Sequence, residues 1–302
     1  MAAARHLTCK DWFRTTSERT DMKTRDLTPL IGSEVMIDRA DLLEGRHASD
    51  LRKLLVARGV LVFRDLDIDR GEQRTITASL GTIQTDGTGE ELQQVTVDEQ
   101  VSPEYAAYFA STLFWHMDGH HDQTVPCFGG SFRPVRLAHE GGETEFLNAY
   151  AAYEGLDEAD RHLVDRLHVF HTATTSGLSA NPRASDEQIA GWRRRPPARQ
   201  PLVWQHATGL KSLMLGVAVA WVEGMHPADS YDLLCRLRCH MNQPRYVYRH
   251  AWRADDLVIW NNTGTLHRAR PFDPASGRLL HRFTLVGEEP IRAPDAAARQ
   301  QA

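Results

Sequence analysis

A single domain mixing α-helix and β-strand is predicted by three features of the sequence. Its 302 residues are 41% apolar and 25% charged, which suits a soluble globular chain with one substantial core. Helix-type and strand-type patterns alternate along the chain between short turn signals. Toward the C-terminus, one amphipathic helix is followed by three strand-type runs.

Taken in order, the first 21 residues form a polar preface. They are expected to be a disordered extension, or sequence ahead of a true start at Met22, and receive no function. The domain proper is expected over 22–292, with a disordered tail over 293–302. In "SDLRKLLVARG", Ser49 is the expected N-cap, apolar residues follow at helical spacing, and Gly59 stops the helix. "VLVFRDL" follows as a short β-branched run, expected to be a buried strand. "GETEFLNAYAAYEGLDEADRHLVDRLHVFHT" gives a strand, a helix around 149–154, a second helix from about Asp157 to Leu167, and a return to strand. "SGLSANPRASDEQIAGWRRRPPARQ" is polar and Pro-rich with one amphipathic patch at 186–193. It is expected to be a long surface excursion, of the kind often used as a lid or binding segment. Its run Arg193–Arg195 reads as a solvated helix end. "HPADSYDLLCRLRCHM" is an amphipathic helix, and "YVYRHAWRADDLVIWNN" gives two strands flanking the turn "RADD". "GRLLHRFTLVGEEP" is a further alternating strand.

Charge and cysteine usage exclude several classes. A net charge of −5 without a basic, aromatic-interleaved stripe argues against nucleic acid. Cys9, Cys127, Cys235 and Cys239 form no zinc-knuckle or CxxC pattern, so a reduced cytoplasmic protein is expected. No apolar run approaches the roughly 20 residues of a membrane span, and the N-terminus lacks a signal-peptide core. GxSxG, GxGxxG and Walker-type loops are all absent, which removes the serine-hydrolase, nicotinamide and nucleotide readings.

The chemistry concentrates in "STLFWHMDGHHDQTVP", residues 111–126, which is a metal site, a hydrolytic dyad or a histidine-rich polar loop. On a strand end, His116 and Asp118 would project to one face and could share an ion. A third ligand must come from elsewhere in the chain, and a second informative cluster places His267 in what reads as a short loop beyond "DLVIWNN" and Arg278 and Arg282 on the next strand. Two histidines and a carboxylate on one face of iron leave three positions open, the Fe(II) facial triad. His116 and His120 have helical i, i+4 spacing, but the HExxH glutamate is missing and Gly119 disfavours helix, which argues against a zinc hydrolase. His120 and His121 are expected at a pocket rim or on the surface.

Four segments in this order, "WHMDG", "GGETEF", "LVIWNNTGTLHRARPF" and "RLLHRFTLVGEEP", with about 150 residues between the H-x-D and the distal histidine, resemble the TauD/TfdA family. This is the family of taurine-dioxygenase-like, Fe(II)- and 2-oxoglutarate-dependent oxygenases, and the resemblance runs from about Leu27 to Pro290. It implies a mainly β fold with flanking helices, a double-stranded β-helix or jelly-roll barrel. It also implies that His116, Asp118 and His267 are the iron ligands, that Arg278 grips the distal carboxylate of 2-oxoglutarate, and that the Thr144 hydroxyl contacts the same cosubstrate. A planar guanidinium suits that role, because it binds a carboxylate through two parallel hydrogen bonds. Arg282, four residues on, is expected to meet an anionic substrate group or to support the cosubstrate. Thr112 stands where taurine oxygenases carry an asparagine, which counts against taurine, and Phe114 suggests a more apolar pocket. Asp118 fills the position that a halogenase would leave vacant.

The implied reaction uses Fe(II), 2-oxoglutarate and dioxygen to hydroxylate, further oxidise or desaturate a small, acidic organic substrate, releasing succinate and carbon dioxide. Natural-product tailoring is the preferred role. Sulfonate or aryloxy-acid catabolism is the alternative, and a non-catalytic metal-binding barrel is the alternative of a different class. The expected partner is a small anionic molecule, with no nucleic acid and no membrane, and a homo-oligomer is left open.

Overall fold

The protein is described by a computed structural model over residues 22–102, 106, 109–119 and 125–294. The expected N-terminal extension, nearly all of the expected tail, Cys9, His120 and His121 lie outside the described residues.

Strand β1 (Lys23–Asp26) and β2 (Ser33–Met36) form a hairpin, and α1 (Arg39–Leu43) and α2 (Ala48–Arg58) lead into β3 (Val60–Phe63). Next come α3 (Arg70–Ser79), β4 (Leu92–Val95), a 3-10 helix (Phe109–Leu113), β5 (Gly129–Arg136) and β6 (Thr144–Asn148). Helices α4 (Ala149–Glu154) and α5 (Glu158–Val164) precede β7 (His168–His171), α6 (Ala173–Ala180) and α7 (Asp186–Arg193). The remainder comprises β8 (Ala198–Pro201), β9 (Val203–Gln205), β10 (Lys211–Leu213), β11 (Val219–Val222), α8 (Pro227–Met241), β12 (Val247–His250), β13 (Leu257–Asn261), β14 (Thr265–Ala269) and β15 (Leu279–Leu285).

Period-two alternation along these strands sorts the core into layers. Val60, Val62, Val258 and Trp260 point into one cluster with Phe132, Phe146, Tyr248 and Leu280. Their neighbours Leu61, Phe63, Leu257 and Ile259 point the other way, onto Leu42, Leu51, Leu55 and Ile76 of the first three helices. The first cluster lies between a seven-stranded sheet, β1-β2-β3-β13-β5-β15-β4, and a three-stranded sheet, β12-β6-β14. All pairings are antiparallel except β2 with β3. Two facing sheets with helices outside form the jelly-roll arrangement. Trp260 is its centre, stacked on Phe132 at 4.4 Å and tilted against Phe146 at 6.5 Å. Beyond the smaller sheet, Leu147 and Leu266 join a third cluster with α4, α8 and the strands between them.

Several boundaries differ from the sequence reading. Helix α2 begins at Ala48 with His47 at the N-cap and no side-chain cap bond, so Ser49 lies inside the helix. The preceding turn starts it instead, through Ala48 N–H to Gly45 O at 3.1 Å. Helix α5 stops at Val164, because the last turn tightens into bonds from Arg166 and Leu167 to Leu163 and Val164. The strands flanking "RADD" enter different sheets, β12 beside β6 and β13 between β3 and β5. Asp256 fixes that corner by accepting from Arg253 N–H at 2.7 Å and pairing with His250 at 3.0 Å. The Pro-rich excursion contains the two helices α6 and α7. Side chains cap both: Thr172 bonds the Thr175 N–H, and a Ser185–Gln188 capping box starts α7. No helix among the described residues is long and apolar enough to cross a membrane.

Candidate active site

Inward-facing positions of β5, β6, β14 and β15 converge with the turn after the 3-10 helix on a cavity of about 720 Å³. His267 is on strand β14 rather than in a loop, because Asn261 compresses the connection before it into a tight turn. The Asn261 carboxamide oxygen accepts from Thr263 N–H at 2.8 Å, Thr263 Oγ1 at 2.7 Å and Gly264 N–H at 3.2 Å. His116 is not on a regular strand but bridges to β14. His116 N–H reaches His267 O at 3.1 Å and His267 N–H reaches His116 O at 2.9 Å. Asp118 follows in a turn. One donor atom from each of His116, Asp118 and His267 lies within 4.8 Å of the others.

Each ligand has an orienting contact. His116 Nδ1 is 2.8 Å from Phe114 O. A carbonyl can only accept, so Nδ1 carries a proton and Nε2 is the nitrogen left to face a metal. Asn262 clamps the Asp118 turn by accepting from Asp118 N–H at 2.9 Å and donating to Asp118 O and Cys127 O, both at 3.1 Å. The His267 ring is held by packing, 5.3 Å from Trp260 and 6.3 Å from Phe146. Burial and the neighbouring His116 push His267 well below the ordinary imidazole range, which keeps it neutral as a ligand must be. Burial opposes ionisation of Asp118, yet the adjoining Arg282 guanidinium outweighs it and holds its carboxyl well below the usual carboxylate range. Two neutral imidazole nitrogens and one ionised carboxylate oxygen on an open cavity fit a divalent iron ion.

Arg282 presents a fork to that carboxylate, Nη2 to Oδ2 at 2.7 Å and Nη1 to Oδ1 at 3.5 Å, and its Nε donates to Thr284 Oγ1 at 3.1 Å. Arg282, expected to meet a substrate anion or to support the cosubstrate, thus has Asp118 as its counter-charge in this structure. Arg278 is 2% exposed, donates to Gly142 O at 2.9 Å and lies 5.0 Å over the Phe272 ring. Thr144 is buried on the same cavity and accepts from Trp252 Nε1 at 3.1 Å.

Of the remaining candidates, Thr112 lines the cavity and donates its hydroxyl to Phe109 O at 2.7 Å. Phe114 is 38% exposed and is not among the lining residues. Its carbonyl serves His116 while its ring turns outward, so the apolar lining comes from Met117, Phe132, Val217 and Leu280 instead. Arg194 and Arg195, read from sequence as a solvated helix end, line the cavity as well. Asn261, Asn262 and Trp252 were missed. The adjacent amides in "WNNTG", directly after a buried strand, were the available signal, because amides there must satisfy buried backbone groups.

Comparison with known proteins agrees with this geometry. Residues 23–284 match the family described as taurine catabolism dioxygenase TauD, TfdA family. An alpha-ketoglutarate-dependent 2,4-dichlorophenoxyacetate dioxygenase of Burkholderia sp. (strain RASC) is 30% identical over 263 residues, covering 81% of this chain and 87% of that protein. A pentalenolactone F synthase of Streptomyces arenae is 28% identical over 192 residues, 60% of this chain and 64% of its own. The crystal structure of AAD-2 in complex with Mn(II) and N-oxalylglycine superposes with a TM-score of 0.75 at 27% identity, covering 90% of this chain and all of that one. A family match across most of the chain, laid over a cavity with two histidines and an aspartate at its base, shows that this chain belongs to the TauD/TfdA dioxygenase family.

Proposed function

We propose that the protein oxidises a C–H bond of a small, acidic organic substrate, with Fe(II), 2-oxoglutarate and dioxygen as cofactor and cosubstrates. The observation that carries this reading is the convergence of His116, Asp118, His267, Thr144 and Arg278 on one cavity. His116, Asp118 and His267 would hold the metal, and Arg278 and Thr144 the distal carboxylate of 2-oxoglutarate. When bound, the metal and keto acid supply, with dioxygen, an oxidant able to take hydrogen from carbon, leaving succinate and carbon dioxide.

The protein's own groups then bind, orient and exclude water. Arg278, sunk among Phe272 and the Gly142 backbone, gives an anion a charge-assisted partner in a dry setting. Because Trp252 N–H donates to Thr144 Oγ1, the Thr144 proton points to a different acceptor, and a carboxylate beside Arg278 would be that acceptor. Arg282 keeps Asp118 ionised and aligned. His116 Nδ1 retains its proton on the Phe114 carbonyl, which fixes the ring. Met117, Phe132 and Leu280 line the cavity with apolar surface and limit water around the reacting carbon.

The relative that acts on 2,4-dichlorophenoxyacetate favours an aryloxy acid as substrate, and pentalenolactone F synthase favours a natural-product acid. A panel of both classes separates these readings. Succinate formation from 2-oxoglutarate should require Fe(II) and be stimulated by an acid but not by its neutral amide. Succinate formation that persists without iron would overturn the assignment.

A further inference from the structure

Resting on that reading, the substrate's own anion needs a seat that the cosubstrate does not occupy. Four guanidinium side chains line the cavity, those of Arg194, Arg195, Arg278 and Arg282, and Asp118 is its only lining carboxylate among the described residues. Arg282 is spent on Asp118. Arg278 is buried and assigned to 2-oxoglutarate. Arg194 and Arg195 remain, adjacent, exposed, and with no ion-pair partner among the described residues.

Their position is set by a built element. Helix α7 docks on α6 through Trp192, whose ring lies against Gly177 so closely that an added Cβ would fall 2.6 Å from it. Helix α6 packs in turn on the 3-10 helix that carries Thr112. The chain leaves α7 in a tight turn, with Arg194 N–H bonded to Gly191 O at 3.3 Å and Arg195 N–H to Trp192 O at 3.2 Å. That turn places both side chains on the cavity wall. A plain alternative is that basic residues collect here only because a helix C-terminus favours cations. Arg193 speaks against that alternative, since it sits in the last turn of α7 yet lines only the neighbouring cleft, whereas Arg194 lines both that cleft and the main cavity and Arg195 lines the main cavity.

We propose that Arg194 and Arg195 form a second anion seat at the rim of the cavity. It would take the carboxylate, sulfate or phosphate of an elongated substrate whose apolar body runs past Trp192 and Val217 toward the metal ligands. Two neighbouring like charges repel, and an anion between them relieves the repulsion while gaining charge-assisted hydrogen bonds.

The test is calorimetric titration of the anaerobic protein loaded with Fe(II) and 2-oxoglutarate. The probes share one apolar body: octanoate, octyl sulfate, octyl phosphate and neutral 1-octanol. Wild type should bind at least one anionic probe about tenfold more tightly than 1-octanol, equivalent to ~1.4 kcal/mol. The Arg194→Gln/Arg195→Gln variant should lose that preference and Arg193→Gln should keep it. Whichever probe wins identifies the anion class. No preference in wild type, or a preference that survives in the double variant, overturns the proposal. The same samples report 2-oxoglutarate binding through the visible charge-transfer band. A wild type without that band would instead be a failure of the dioxygenase reading.

Discussion

Arg278 and Arg282 stand four residues apart on one face of the same chain segment and differ in what each already holds. Arg282 is committed to the Asp118 carboxylate, so Arg282→Ala leaves that carboxylate without its counter-charge and lets its pKa rise. Iron affinity should fall about 10–100-fold, the usual effect of losing a group that orients a ligand, as read by competition with a chelator. Arg278→Ala should spare iron and weaken 2-oxoglutarate by on the order of 3–5 kcal/mol, because the distal carboxylate would be stranded in a dry pocket. Equal loss of iron in both variants would contradict this division of labour. Gly142 offers a subtler probe. Its φ is +74°, and a Cβ there would lie 2.9 Å from Arg278 Nε. Gly142→Ala should therefore raise the 2-oxoglutarate Kd while iron binding stays near wild type. The spacing of His116, Asp118, His267 and Arg278 was legible in the sequence because those motifs are local. The Asn262 clamp was not, because it joins positions 144 residues apart and local sequence carries no trace of such a contact.

Among the elements, the small sheet β12-β6-β14 decides where His267 points. Glu145 is its buried pivot, paired with Arg249 across β12 and with Arg268 across β14, at 2.7 and 2.6 Å. Burial opposes the charge, but the two arginines prevail and hold the Glu145 carboxyl below its ordinary range. A depressed carboxyl contributes stability that is present above the unfolded-state value and is lost as pH falls through that range toward the folded value. Glu145→Gln should lower stability at neutral pH by about 1–3 kcal/mol. It should also flatten the acid limb of a denaturation profile, and an unchanged acid limb would remove Glu145 from this role. Strands β3, β6, β7, β12, β13 and β15 were legible as strand-type runs, whereas β5, broken by Gly129, Gly130 and Pro134, was not. His267 read as a loop residue because "NNTGT" is polar, whereas Asn261 uses that polarity to close a turn in the space of a few residues. Helices α6 and α7 read as an excursion for a related reason. They bury no residue fully, so α7 shows only a short amphipathic patch, α6 shows none, and the start signals of both are polar caps.

For the whole molecule, the jelly roll supplies what the chemistry requires, two sheets closing over aromatic side chains, with His116, Asp118, His267, Arg278 and Arg282 gathered on one cavity. Layering followed from alternating residues such as Val60–Phe63. The order of strands did not, because β13 finds its partners in β3 and β5, far away in sequence, and pairing of that kind is settled by burial across the sheet. In the proposed reading, one cavity holds iron on His116, Asp118 and His267 and 2-oxoglutarate on Arg278. The most direct measurement is anaerobic titration of the Fe(II) protein with 2-oxoglutarate, following the visible charge-transfer band that arises when the keto acid chelates iron. Wild type should develop the band and saturate. His267→Ala should show none, and Arg278→Ala should need roughly 100-fold or more additional 2-oxoglutarate, consistent with the loss of a buried charge pair. A wild-type protein that binds iron without developing the band, or a His267→Ala variant that develops it undiminished, would rule out this site.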